Sequence, residues 1–226
     1  LECQKVIDRL NLKKTLTILD YGVEAKEVDE EFQKTLEENL KAIEFAYSNS
    51  NVPVISTKLT GYIPIAVLEK KHSGESLDQA EQIKFERLEE RFAVLCKKAY
   101  DMGVSIFVDA EESWIQKPID DLVNKYMAIY NKEKPIIYNT YQMYLCDRLE
   151  ALKLQFEQAQ QQHFILGAKT VRGAYLDKER KRALSKNYKD PTNPNKDKTD
   201  DDYSKAIAFC LNYPDQISIC NSSHFS

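Results

Sequence analysis

The sequence predicts an α/β protein: parallel strands that alternate with helices. Three observations predict it. Short apolar, β-branched runs alternate with long amphipathic segments, and six such runs can be counted. The runs are nearly continuous in apolar residues, as parallel strands covered on both faces are. Polar residues gather where the runs end: Asp20 and Glu24, Lys58, Asp109 and Glu111, Asn139 and Gln142, Lys169 and Arg172, Ser223 and His224. Two closures satisfy this pattern. One is an open doubly wound sheet. The other is a (βα)8 TIM-type barrel, about 250 residues when complete, here incomplete with about six βα units in 226 residues.

The elements follow in order. TLTILDYG (15–22) reads as the first strand. Residues 27–50 read as a helix, because Phe32, Leu36, Leu40, Ile43 and Ala46 recur at spacings of three and four. VPVISTKLT (52–60) is the second strand. Residues 75–103 form a long helical stretch, opened by Ser76 as a cap and closed by Gly103. VSIFVDAE (104–111) is a strand, and 118–131 a helix with Pro118 in its first turn. PIIYNTYQ (135–142) is a strand, and 146–162 a helix. FILGAKTVRGAY (164–175) is a strand with its exit loop, and 177–186 starts a helix. A polar, Pro/Asn-rich loop covers 187–201. A helix from about 202 to 211 and a last strand, QISICNS (216–222), complete the order. The whole of 1–226 reads as one barrel domain. Its last two strands and final helix are expected to lie outside the chain, since the sequence closes on what reads as a strand and its exit loop.

Composition bounds the function. Hydrophobic content of 42% and charged content of 30% are those of a globular protein. A net charge of −4 gives no basic face for nucleic acid. No apolar run approaches the roughly 20 residues that span a bilayer. Five cysteines without CxxC pairing suit free thiols, and three histidines show no metal-ligand spacing.

Glycine constrains the cofactor. The six glycines form neither GxGxxG nor a P-loop, so a nucleotide cofactor would have to bind on strand-end loops. In a barrel, those loops all meet at one face, where active sites are built. Gly173-Ala174, beside Lys169 and Arg172, offers an approachable backbone next to two cations. That combination suits a pyrophosphate or a flavin ring. Lysines at strand ends also suit Schiff-base chemistry, with Lys58 or Lys169 as nucleophile.

AKTVRGAYLDKERKRA (168–183) resembles the signature of the proline dehydrogenases, FAD-dependent barrel enzymes that oxidise L-proline. FVDAEES (107–113) and YNTYQMY (138–144) are similar to the same family in the same order. STKLTGY (56–62) and LDYGVEAK (19–26) fit its first two strands, and SSHFS (222–226) sits where the family has a Thr-His pair. The style resembles the monofunctional enzymes.

The resemblance implies roles. Lys58 contacts substrate, Asp109 is the active-site aspartate and Ala110 touches the flavin. Asn139 takes the place of a flavin-binding glutamine, one methylene shorter. Lys169 stands near the reactive side of the flavin, where many members have arginine. Arg172, Gly173 and Ala174 form the flavin-binding tripeptide, Tyr175 shapes the pocket, and Ser223 with His224 hold the outer part of FAD. The family's Arg-Arg pair, which clamps the proline carboxylate, has no counterpart in these 226 residues. Implied partners are L-proline and a quinone as electron acceptor, and the implied place is the cytoplasm or the periphery of an inner membrane, mitochondrial in a eukaryote. A non-catalytic barrel fragment without flavin is the alternative.

Overall fold

The computed structural model describes residues 3–21 and 27–222. It divides the chain into two compact units, Leu1–Asp109 and Ala110–Ser226, where the sequence reading takes 1–226 as one domain.

In the first unit, α1 (Gln4–Asn11) precedes β1 (Ile18–Asp20), α2 (Asp29–Ser48) and β2 (Val54–Thr57). A 3-10 turn (Leu59–Gly61), α3 (Ile65–Ser73), α4 (Gln79–Met102) and β3 (Ser105–Val108) follow. β1, β2 and β3 pair in parallel, and Asp20, Ser56 and Phe107 share one level of the register. The helix side of the sheet is closed by Ile55, Ile106 and Val108, none of them solvent-accessible, against apolar residues such as Ile43 of α2 and Leu95 of α4.

The second unit contains α5 (Ser113–Tyr130), β4 (Ile137–Gln142), α6 (Arg148–Gln162) and β5 (Leu166–Val171). It ends with α7 (Leu176–Lys186), α8 (Lys196–Leu211) and β6 (Ile217–Asn221). β5 pairs in parallel with both β4 and β6. Phe156 of α6 meets Phe209 of α8 edge-on and also touches Tyr213, closing the helix layer. The strand–helix alternation and the parallel pairing bear out the α/β class.

Several boundaries differ from the sequence reading. Only Ile18–Asp20 of 15–22 pairs as a strand. The helix of 75–103 is capped by Asp78, not Ser76: the Asp78 carboxylate accepts the Glu81 N–H, and the Glu81 side chain accepts the Asp78 N–H. α5 starts at Ser113, so Pro118 lies inside the helix rather than in its first turn. The loop of 187–201 is shorter than expected, because the Asn195 side chain caps α8 by accepting the Lys198 N–H.

Candidate active site

Strand alternation decides which side chains leave the core. Ile55 and Thr57 of β2 face the helices, where Thr57 Oγ1 bonds the buried Tyr62 hydroxyl at 2.9 Å. Ser56 and Lys58 therefore point the other way. On the neighbouring strand, Asp109 donates its N–H to the Thr57 carbonyl at 2.9 Å, which fixes its height beside Lys58. Lys58 Nζ stands 3.9 Å from Asp109 Oδ2 and 3.9 Å from Asp20 Oδ2. That distance is the reach of charge attraction rather than of a hydrogen bond. The Lys58 side chain is 15% exposed and that of Asp109 19%, so the attraction is only partly screened. The cluster can bind a zwitterion: the ammonium attracts an anion, and the two carboxylates attract a cation.

In the second unit Thr140, Lys169 and Cys220 lie side by side in the register of β4, β5 and β6. Below them the Tyr138 hydroxyl meets Ser218 Oγ at 2.8 Å. Burial pushes the Cys220 thiol up, and the Lys169 charge works against that shift. Lys169 itself is half-buried.

Asn139 is not on this face, which corrects the sequence expectation. It is fully buried. Its amide donates to Asp120 Oδ1 of α5 at 2.9 Å and to Gln155 Oε1 of α6 at 3.3 Å, and its carbonyl accepts the Thr140 N–H. The amide at the open end of β4 is Gln142, three residues on and therefore on the opposite face. Its Nε2 donates to the Glu111 carbonyl at 2.8 Å, and its Oε1 accepts the Ala174 N–H at 3.1 Å. Gln142 thus ties the turn after Ala110 to the turn after β5. The strand-end polar pattern includes Gln142, but neither spacing nor resemblance gives it a role.

The turn after β5 also differs from expectation. Gly173 has φ of +133°, a conformation side chains rarely adopt, and a Cβ there would fall 1.5 Å from Tyr144 Cδ1. The glycine makes room for the Tyr144 ring. Arg172 donates from Nε to Asp200 Oδ1 at 2.5 Å, and its guanidinium lies 4.4 Å over the Tyr203 ring, both on α8. Tyr175 stands at the N-cap position of α7 without a side-chain capping bond, and Ala110, next to Asp109, is buried. Ser223 and His224 lie outside the described residues.

The fit to a flavin is therefore divided. Lys169, with Thr140 beside it in the register, supplies the cation and polar group that an electron-accepting, anionic ring requires. Arg172 Nε and the Ala174 N–H already have partners within the protein, so these two donors serve the shape of the turn.

Parallel α/β architecture with lysines and acids at the carboxyl ends of its strands is the arrangement of βα scaffolds, which build their sites at those ends. The proline dehydrogenase family model matches residues 3–225, and the chain belongs to that family. "Proline dehydrogenase 1, mitochondrial" of Dictyostelium discoideum is 33% identical over 270 residues, covering 99% of this chain and 46% of that protein. The Homo sapiens protein of the same name is 42% identical over 133 residues, 59% of this chain and 22% of that one. Among solved structures, proline utilization A from Bdellovibrio bacteriovorus, inactivated by N-propargylglycine, superposes with a TM-score of 0.83. That match has 18% identity and covers 97% of this chain and 24% of that one, so the likeness is one of fold. The chain spans less than half the length of each of these relatives.

Proposed function

We propose that this chain carries the proline- and flavin-binding strand ends of a proline dehydrogenase. The observation that carries the reading is Lys58 held between Asp20 and Asp109 at the end of β2, an arrangement suited to an amino acid zwitterion. When bound, FAD would supply the acceptor for a hydride from the ring carbon next to nitrogen; with the amine proton lost to solvent, this converts L-proline to pyrroline-5-carboxylate.

The residues divide the work. Lys58 pairs with the proline carboxylate. Asp109 and Asp20 orient Lys58 by charge and favour the approach of the substrate's amine. Lys169 places one positive charge where negative charge develops on the flavin ring, and Thr140 gives it a polar neighbour. Tyr175 flanks substrate at the start of α7, Ala110 lies at the flavin's edge, and Arg172, Gly173 and Ala174 hold the turn's shape. Ser223 and His224 are proposed for the outer part of FAD. A quinone is the proposed electron acceptor, at the periphery of an inner membrane. Among the described residues no helix is long and apolar enough to cross a membrane.

The test is spectroscopic. The purified protein should show a flavin band near about 450 nm that bleaches on anaerobic addition of L-proline. A flavin band that proline leaves unchanged would remove the substrate; a protein that takes up no FAD would remove the cofactor.

A further inference from the structure

Glu179 lies in the first turn of α7 and is fully buried. A buried carboxylate costs free energy unless several groups partner it. Its partners come from two distant segments. Oε1 accepts the Ser113 N–H at 2.7 Å and Oε2 accepts the Ser113 hydroxyl at 2.6 Å. Ser113 is the first residue of α5, where the helix dipole favours negative charge. Oε1 also lies 3.5 Å from the Tyr144 hydroxyl. Burial, and next the negative charge of Glu179, push that phenol's pKa up.

Each partner leads to a strand-end turn. Tyr144 covers Gly173 with its ring, donates its N–H to the Arg172 carbonyl at 2.7 Å, and accepts the Asn193 N–H at 2.7 Å. Ser113 ends the turn that begins at Ala110, and Lys178, next to Glu179, pairs with Glu112 in that same turn. Gln142 joins the two turns from the other side, through Glu111 and Ala174. Two brackets therefore hold the segments 110–113 and 172–175 to each other.

We propose that Glu179 is a positioning residue: through Ser113 and Tyr144 it sets the spacing of the turns that carry Ala110 and Tyr175, and thereby the geometry of the reaction. The inference rests on the flavin and proline reading above. Glu179 does not touch the reacting atoms; it holds the two turns that do. A carboxylate suits this task because its charged Oε1 faces a donor from each segment while Oε2 takes the Ser113 hydroxyl, and charge-assisted bonds of this kind are stronger than those an amide makes.

The experiment compares wild type, Glu179→Gln, Ser113→Ala and the double variant. It measures amide hydrogen exchange over 110–113 and 172–176, the FAD dissociation constant, and kcat and KM for proline. Glu179→Gln is expected to speed exchange in both turns and to lower kcat about tenfold, with proline KM changed by less than about twofold, as loss of alignment rather than of binding requires. Ser113→Ala should act in the same direction, and the double variant should be less than additive. If Glu179→Gln does not fold, Ser113→Ala decides by the same readouts. Variants that melt earlier but keep wild-type exchange in both turns and wild-type kcat would show a helix cap alone and overturn the proposal. If wild type neither binds FAD nor oxidises proline, the functional reading fails, while the exchange data still decide whether Glu179 holds the turns.

Discussion

Lys58 Nζ and Asp109 Oδ2 stand 3.9 Å apart at the ends of adjacent parallel strands, on a backbone tied by the Asp109 N–H to the Thr57 carbonyl. Neither side chain can move along its strand without breaking that rung. The pair gives the first prediction. Lys58→Met keeps the stem and removes the charge. Charge-assisted hydrogen bonds contribute about 1.5–3 kcal/mol, so proline KM should rise roughly ten- to hundredfold with FAD content unchanged. Asp109→Asn leaves Lys58 less well oriented and should lower kcat/KM by a smaller factor. Steady-state kinetics on flavin-quantified protein checks both, and an unchanged KM in Lys58→Met would remove Lys58 from the substrate site.

Gly173→Ala should be among the most damaging small changes in the second unit. The added Cβ would sit 1.5 Å from the Tyr144 ring, on a backbone with φ of +133°. Strain of this kind and overpacking each cost about 1–3 kcal/mol. The variant should unfold at markedly lower urea concentration. Measured against Tyr144→Ala alone, Gly173→Ala should cost only the backbone share. A wild-type unfolding midpoint for Gly173→Ala would show that the ring is not held there.

These particulars show what could be read from sequence. The strand-end pattern put Lys58 and Asp109 at the ends of consecutive strands; parallel pairing sets such residues at one height. The same alternation could have separated Asn139 from Gln142, since residues three apart on a strand face opposite sides. The family resemblance points to Asn139, whose amide faces α5 and α6 instead. The start of α5 was not legible at all. Its cap is the Glu179 carboxylate, 66 positions away in sequence, so no local signal marks Ser113. α3 did leave a signal, Pro64 before its first residue and Gly74 with φ of +80° after its last, in a segment to which no element had been assigned.

The buried pair behind β4 predicts a pH dependence. Asp120 accepts from Arg148 Nη1 at 2.9 Å, from Asn139 at 2.9 Å and from Gln116 at 2.8 Å. Burial nevertheless raises its pKa above the ordinary 3.8, with Arg148 and the amides opposing. A carboxyl raised in the folded state binds its proton more tightly there than in the unfolded chain. Its contribution is therefore full below about 3.8 and is lost as pH rises through the folded value. Measured against Asp120→Asn, which does not titrate, wild-type stability should fall as pH increases above that point. Urea unfolding of both proteins at a series of pH values tests it; a rising difference would mean that the ion pair outweighs burial. Arg148→Leu should cost about 3–5 kcal/mol near neutral pH, because it leaves the carboxylate buried without its cation.

The cysteines give a prediction that needs no assay of turnover. Cys146 is exposed, while Cys96 and Cys210 are buried. Burial pushes the Cys210 thiol up to about 12 and raises that of Cys96. Only the thiolate reacts, and at pH 8 a group with a pKa near 12 is ionised about once in ten thousand molecules. Alkylation at pH 8, mapped by mass, should therefore modify Cys146 first and leave Cys96 and Cys210 until the protein is denatured. Cys220 is the informative position, because it lies beside Lys169 in the register of β5 and β6 and its thiol is raised by burial. It should react more slowly than Cys146 in the protein stripped of flavin, and should be shielded further once FAD is restored. Labelling of Cys220 that FAD leaves unchanged would place the flavin away from Lys169, and with it the charge proposed to stabilise the reduced ring.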